Sequence, residues 1–98
     1  MIDKQYTVIN NQQEQRFEIH DSGEVAYLEY RFYKNDIALM HTLVPDALAG
    51  RGIASALAHY ALEWAKADQK PVKVYCSFVS AYLKTHPEYD DIIDKNYR

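Results

Sequence analysis

The sequence predicts a single α/β domain: a mixed, mostly antiparallel sheet of about five strands, one long central helix and shorter C-terminal helices. Three observations carry this expectation. Alternating, β-rich runs separated by polar turns fill the chain up to Val44, the hydrophobic period switches from two to 3.6 near Ile53, and a further β run begins just past Pro71.

Residues 6–9 read as a first strand, residues 10–13 as a polar turn, and residues 16–20 as a second strand with period-two alternation; together they predict a hairpin. Asp21, Ser22 and Gly23 turn the chain into residues 25–33, a third strand rich in aromatic and β-forming residues. Lys34, Asn35 and Asp36 supply the next turn. Residues 37–44 then form a nearly continuous apolar run, as expected of a central strand covered on both faces, with His41 as the exception. From Ile53 the pattern is helical: Ile53, Leu57, Ala61, Trp64 and Ala65 recur at spacings of three and four. A helix over residues 53–68 would be about 24 Å long at 1.5 Å per residue. Lys66 and Lys70 suit the negative end of its dipole, and Pro71 stops it. Residues 72–76 return as a fifth strand, Ser77 can cap a second helix carrying Val79, Tyr82 and Leu83, and Pro87 can open a short third one. Strand, helix, strand at this spacing implies a right-handed crossover and parallel pairing of the fourth and fifth strands.

A chain of 98 residues, 48% hydrophobic and 26% charged, reads as one ordinary globular domain over residues 1–98. No apolar run approaches the ~20 residues of a membrane span, and the first residues lack the apolar region of a signal peptide, so a cytoplasmic location is expected. The single Cys76 excludes an internal disulfide. With 14 acidic against 11 basic residues the net charge is −3, which offers no general attraction to nucleic acid. No histidines or cysteines show metal-ligand spacing, so no metal is expected. Glu18, Glu29, Asp90 and Asp91 are expected on solvated faces, and His20, His59 and His86 at the surface.

The chemistry concentrates between the fourth strand and the long helix. Two of the three glycines, Gly50 and Gly52, lie there. Glycine admits positive φ and close backbone approach, and the helix that follows adds unpaired first-turn N–H groups and a partial positive charge. This is the making of an anion site for phosphate or pyrophosphate. It is neither a dinucleotide fingerprint, since the third glycine is missing, nor a P-loop, since no Lys-Ser/Thr follows Gly52.

The register Ala49-Gly50-Arg51-Gly52-Ile53-Ala54 resembles the pyrophosphate motif of the GNAT superfamily of acyl-CoA-dependent N-acetyltransferases, Gln/Arg-x-x-Gly-x-Gly/Ala. Gly52 and Ala54 match, while Ala49 departs from Gln or Arg. With His41 and Thr42 before the loop and Cys76, Ser77 and Phe78 after the helix, the chain from about Val25 onward is similar to the small single-domain members that bind acetyl-CoA. That resemblance implies a GNAT-type sheet whose fourth and fifth strands splay. It also implies that Leu43 and Val44 offer backbone groups to pantetheine, and that the loop with Gly50, Arg51, Gly52, Ile53 and Ala54 holds the pyrophosphate. Acetyl-CoA would be the co-substrate and an unspecified amine the acceptor, in a monomer or weak dimer without nucleic-acid or membrane partners.

His41 and Cys76 are the candidate catalytic residues. Imidazole can take the proton an amine must lose near neutral pH, and many larger relatives place an acid on the fourth strand for this task. Cys76, at the mouth of the second helix, could accept an acetyl group or line the thioester pocket, since N–H dipoles there favour thiolate. The alternatives are a core histidine and a small buried hydrophobe. Tyr82 and Tyr89 are read as packing residues that could also protonate a leaving thiolate. For the whole chain the alternatives are a non-catalytic acyl-CoA-binding or sensing module, or a small protein-interaction domain whose glycine loop is only a turn.

Overall fold

The computed structural model describes residues 6–94. Five strands form one sheet in sequence order: β1 (Ile9–Asn11), β2 (Arg16–Asp21), β3 (Glu24–Tyr33), β4 (Asp36–Leu43) and β5 (Val72–Val74). The first four run antiparallel to their neighbours, and β5 lies parallel to β4. Helix α1 (Ile53–Ala67) makes the crossover between them, α2 (Ser77–Lys84) follows β5, and a 3₁₀ segment (Pro87–Ile92) closes the described chain.

Alternation along β2 and β3 sets the layers. Their register pairs Phe17 with Leu28 and Ile19 with Ala26, placing all four on one face, where they are buried. Helix α1 covers that face with Leu57, Ala58, Ala61, Leu62 and Ala65, the stripe its period predicts. Burial of a leucine such as Leu57 or Leu62 contributes about 2 kcal/mol. Trp64 extends the contact by stacking on Tyr30 at 6.3 Å between ring centroids.

The first strand differs from expectation. Pairing runs over Ile9–Asn11 rather than residues 6–9, so Asn10 and Asn11, expected in the turn, are in the sheet. Their side chains explain it: Asn10 accepts the Tyr30 hydroxyl at 2.7 Å, and Asn11 donates to the Glu18 carboxylate at 3.1 Å. Asn11 keeps its turn role as well, its Oδ1 accepting the Glu14 N–H at 3.1 Å, so the turn begins from within the strand.

Strand β4 is also not covered on both faces throughout. Ile37, Ala38 and Leu39 are buried, but a bulge intervenes: Tyr30 pairs with Leu39 and Glu29 with His41, leaving Met40 as the extra residue. Beyond it, Thr42 sits opposite buried Leu28 on the face toward α1, and His41 sits opposite Glu29 on the other face, exposed to solvent.

Strand β5 ends at Val74, two residues earlier than expected. It pairs with β4 only from Ile37 to Leu39, and then both Tyr75 and Cys76 direct their N–H groups to the Leu39 carbonyl, at 2.9 and 3.1 Å. With one carbonyl serving two donors, the fifth strand turns off into α2 while β4 runs on to Leu43. Beyond Leu39 the two parallel strands are no longer paired. Cys76, not Ser77, is the N-cap of α2, and Ser77 is its first helical residue.

Among the acids expected on solvated faces, Glu18 is the exception, at 3% exposed on the sheet face away from α1. Burial alone would push its carboxyl up, but His20, Arg16 and Asn11 all donate to it and hold it below the usual carboxylate range. A buried carboxylate survives only when its lone pairs are met in this way. Lys73 on β5 is buried likewise between Asp36 at 3.2 Å and Asp94 at 3.1 Å.

Candidate functional site

A cavity of about 300 Å³ opens where β4 hands over to α1. It is lined by Val44, Leu48, Ala49, Gly50, Gly52, Ile53, Ala54, Ser55 and Phe78. Five of the predicted binding residues therefore gather around one space, Val44, Gly50, Gly52, Ile53 and Ala54. Gly50 and Gly52 take φ of +78° and +76°, the left-handed region that side-chain-bearing residues rarely adopt, which is why glycine stands at both. A short 3₁₀ turn at Asp46–Leu48 brings the chain from β4 to these glycines and buries Leu48 beneath them.

The N-terminus of α1 is left open toward this space. Its N-cap is Gly52, which has no side chain to bond the first turn, and Ala56 is the first residue to donate into the helical ladder, to the Gly52 carbonyl at 3.0 Å. The amides of Ile53, Ala54 and Ser55 precede that ladder. Their N–H groups and the helix dipole together suit an anion.

Arg51 is turned elsewhere. Its carbonyl accepts the Tyr6 hydroxyl at 2.9 Å and its guanidinium lies 3.9 Å from the Asp21 carboxylate, at the end of β2. Leu43 is on the outer face, paired with Tyr27 across the strands and 40% exposed. Its backbone belongs to the part of β4 beyond the end of β5, where, among the described residues, β4 has no pairing on that edge.

His41 and Cys76 fall on different sides of that edge. The His41 ring faces solvent on the outer sheet face, with its centroid 6.3 Å from the Tyr27 ring in an edge-on arrangement. Cys76 is buried, and its sulfur lies 3.1 Å from the Thr42 hydroxyl, so a hydrogen bond between side chains joins the end of β4 to the start of α2. No hydrogen bond joins His41 to Cys76. They flank the same stretch of β4 from opposite faces.

Tyr89 serves packing instead. It is 2% exposed, donates to Glu63 at 2.5 Å, and with its one proton so used accepts from His59 at 3.1 Å. Burial, reinforced by the Glu63 carboxylate, pushes its phenol pKa up. Tyr82 is half-buried and stacks on His86 at 3.9 Å, so His86 is less of a surface residue than its sequence context implies. His59 is exposed as expected but tied to Tyr89.

Sequence reasoning missed Ser55, which lines the cavity and carried no signal of its own. Phe78 also lines the cavity and Thr42 touches Cys76; both belong to the stretches on either side of the loop and helix that the sequence singles out, though without a role for either side chain. Among the described residues no cluster of His, Cys, Asp and Glu could hold a metal, and no helix is long and apolar enough to cross a membrane.

The model of the GCN5-related N-acetyltransferase family matches residues 16–92, which span β2 through the final 3₁₀ segment. The chain belongs to this family. Its members are acyl-CoA-dependent N-acetyltransferases. Protein NATD1 of Mus musculus is 34% identical over 83 residues, covering 82% of this chain and 76% of that protein. Protein NATD1 of Xenopus tropicalis is 37% identical over 68 residues, covering 69% of this chain but only 61% of the frog protein. A GCN5-like protein from Staphylococcus aureus, solved in solution by NMR, superposes with a TM-score of 0.71 at 28% identity, covering 91% of this chain and 88% of that one.

Proposed function

We propose that the chain binds acetyl-CoA along the glycine loop and the unpaired edge of β4, and transfers its acetyl group to an amine. The observation that carries this reading is the cavity at the uncapped start of α1, where Val44, Gly50, Gly52, Ile53 and Ala54 converge. The first-turn amides would hold the pyrophosphate. The free edge of Leu43 and Val44 would pair with pantetheine, and Phe78 would cover the arm.

His41 and Cys76 would then stand on either side of the thioester. The α1 face is closed by helices, so an amine would arrive from the outer face, where His41 is exposed. There imidazole takes the proton as the amine nitrogen attacks the thioester carbon; the C–S bond breaks and the CoA thiolate leaves to be protonated. Cys76, with the Thr42 hydroxyl on its sulfur, lines the inner side and is the candidate for a covalent acetyl intermediate. A cytoplasmic location belongs to the same reading and suits a lone reduced thiol.

The test is release of free CoA thiol from acetyl-CoA in the presence of a panel of primary amines. Wild type should turn over with at least one of them, and His41→Ala should lower kcat by about 100-fold or more, the usual contribution of a general base, with little change in coenzyme affinity. Thiol release no faster with any amine than without would contradict transfer and leave a non-catalytic acyl-CoA-binding module. Intact mass resolves the role of Cys76. An added acetyl group in wild type that is absent from Cys76→Ser supports the covalent route, and an unmodified wild type supports direct attack.

A further inference from the structure

We infer that Tyr6 is a positioning residue for the pyrophosphate-binding loop, setting the direction of the Gly52 amide; this rests on the acetyl-CoA reading above. Tyr6 lies 45 residues before Arg51 in the chain, yet its hydroxyl donates to the Arg51 carbonyl at 2.9 Å. The peptide joining Arg51 to Gly52 is trans, so its C=O and N–H point in opposite directions. Fixing the carbonyl on Tyr6 therefore aims the Gly52 N–H away from Tyr6, and Gly52 itself lines the cavity.

The hydroxyl also replaces a partner that the helix would otherwise supply. In a continued α-helix the Arg51 carbonyl would accept from Ser55, four residues on. Here the helix starts after Gly52 and the Ser55 amide precedes its ladder, so the Tyr6 bond lets this carbonyl be satisfied while the Ser55 N–H stays available to a ligand.

The loop needs such a support. It carries two glycines at positive φ within three residues, and a flexible backbone must be ordered when a ligand binds unless the fold orders it beforehand. Tyr6 is itself packed against the core, which makes it a fixed post. The Arg51 side chain is anchored separately, 3.9 Å from Asp21, whose other oxygen accepts the Ser22 hydroxyl at 2.8 Å. The guanidinium thus neither competes with the Tyr6 bond nor replaces it.

Tyr6→Phe removes only the hydroxyl and keeps the ring in place. The experiment titrates CoA and, separately, pantetheine, which lacks the pyrophosphate, into wild type and Tyr6→Phe while following backbone amide chemical shifts. Loss of one hydrogen bond that orders the site should weaken CoA by about three- to tenfold and leave pantetheine unchanged. In the ligand-free variant the Gly52 amide should shift more than those of α1 beyond its first turn. Equal CoA affinity in the two proteins, or an equal loss for CoA and pantetheine, would overturn the inference. Failure of wild type to bind CoA would overturn the coenzyme reading itself, a result distinct from either.

Discussion

The two ends of the contact that α1 makes with the rest of the molecule are built on opposite plans. At its start the N-cap is a glycine, the first amides precede the helical ladder, and a cavity of about 300 Å³ stands in front of them. From its middle onward Glu63 and His59 both close on the Tyr89 hydroxyl, and Trp64 stacks on Tyr30. The buried Glu18 on the far face of the sheet follows the second plan, with His20, Arg16 and Asn11 all donating to it. Groups that hold the fold have their hydrogen bonds completed from within the chain. Groups free to act on a ligand are those whose hydrogen bonds the fold leaves open.

If this division is right, changes in the saturated regions should cost stability and spare binding, and changes at the loop should do the reverse. The largest stability effect belongs to Glu18→Gln, which breaks a buried charge network. We expect a loss of about 2–4 kcal/mol in urea unfolding, with CoA affinity within about twofold of wild type. The pH dependence has a definite sign. Because the folded carboxyl is held below its ordinary value of 4.5, its contribution is present above that pH and is lost as pH falls through the lower folded value. The stability gap between wild type and Glu18→Gln should accordingly be full at neutral pH and narrow in acid. A gap that stayed constant down to acid unfolding would mean that the charge is not what Glu18 contributes.

Tyr89→Phe should come next, at about 1–2 kcal/mol, since it frees Glu63 and His59 from a largely buried hydroxyl. Turnover should be unaffected, which also separates packing from a role in protonating the leaving thiolate. A large fall in kcat with unchanged stability would reverse that assignment. The smallest stability effect is expected of Gly52→Ala. A Cβ there meets nothing within 4 Å, so the cost is that of a side chain at φ +76°, about 1 kcal/mol. Thermal unfolding should register that small cost, and the larger effect should appear in CoA titration.

The division also explains what the sequence could reveal. Helix α1 was legible almost to the residue because its buried stripe and Pro71 are local signals, and the loop was legible because Gly50 and Gly52 answer to a backbone conformation. Strand β4 was read correctly as an element but not in its faces, since the bulge at Met40 is a product of pairing with β3 and leaves no mark in β4 alone. Glu18 read as solvated because an acid in an alternating strand usually is; only the fold brings Asn11 and His20 onto it. The approach of Thr42 to Cys76 follows from two parallel strands ending at one edge, whereas Tyr6 owes its contact to a partner 45 residues away, and no spacing rule reaches that far.

The central claim is that the open start of α1 is the coenzyme site, and its most direct test is a calorimetric titration of CoA into wild type and Gly52→Glu. The cavity gives the new side chain room, so the variant should fold with only the strain of its backbone angle, while its carboxylate stands where the pyrophosphate would lie. The account predicts saturable binding to wild type and a loss of at least about 100-fold in the variant, as a like charge at an anion site demands. Equal binding by the two proteins would place the coenzyme elsewhere, and no binding by wild type would contradict the account at its base.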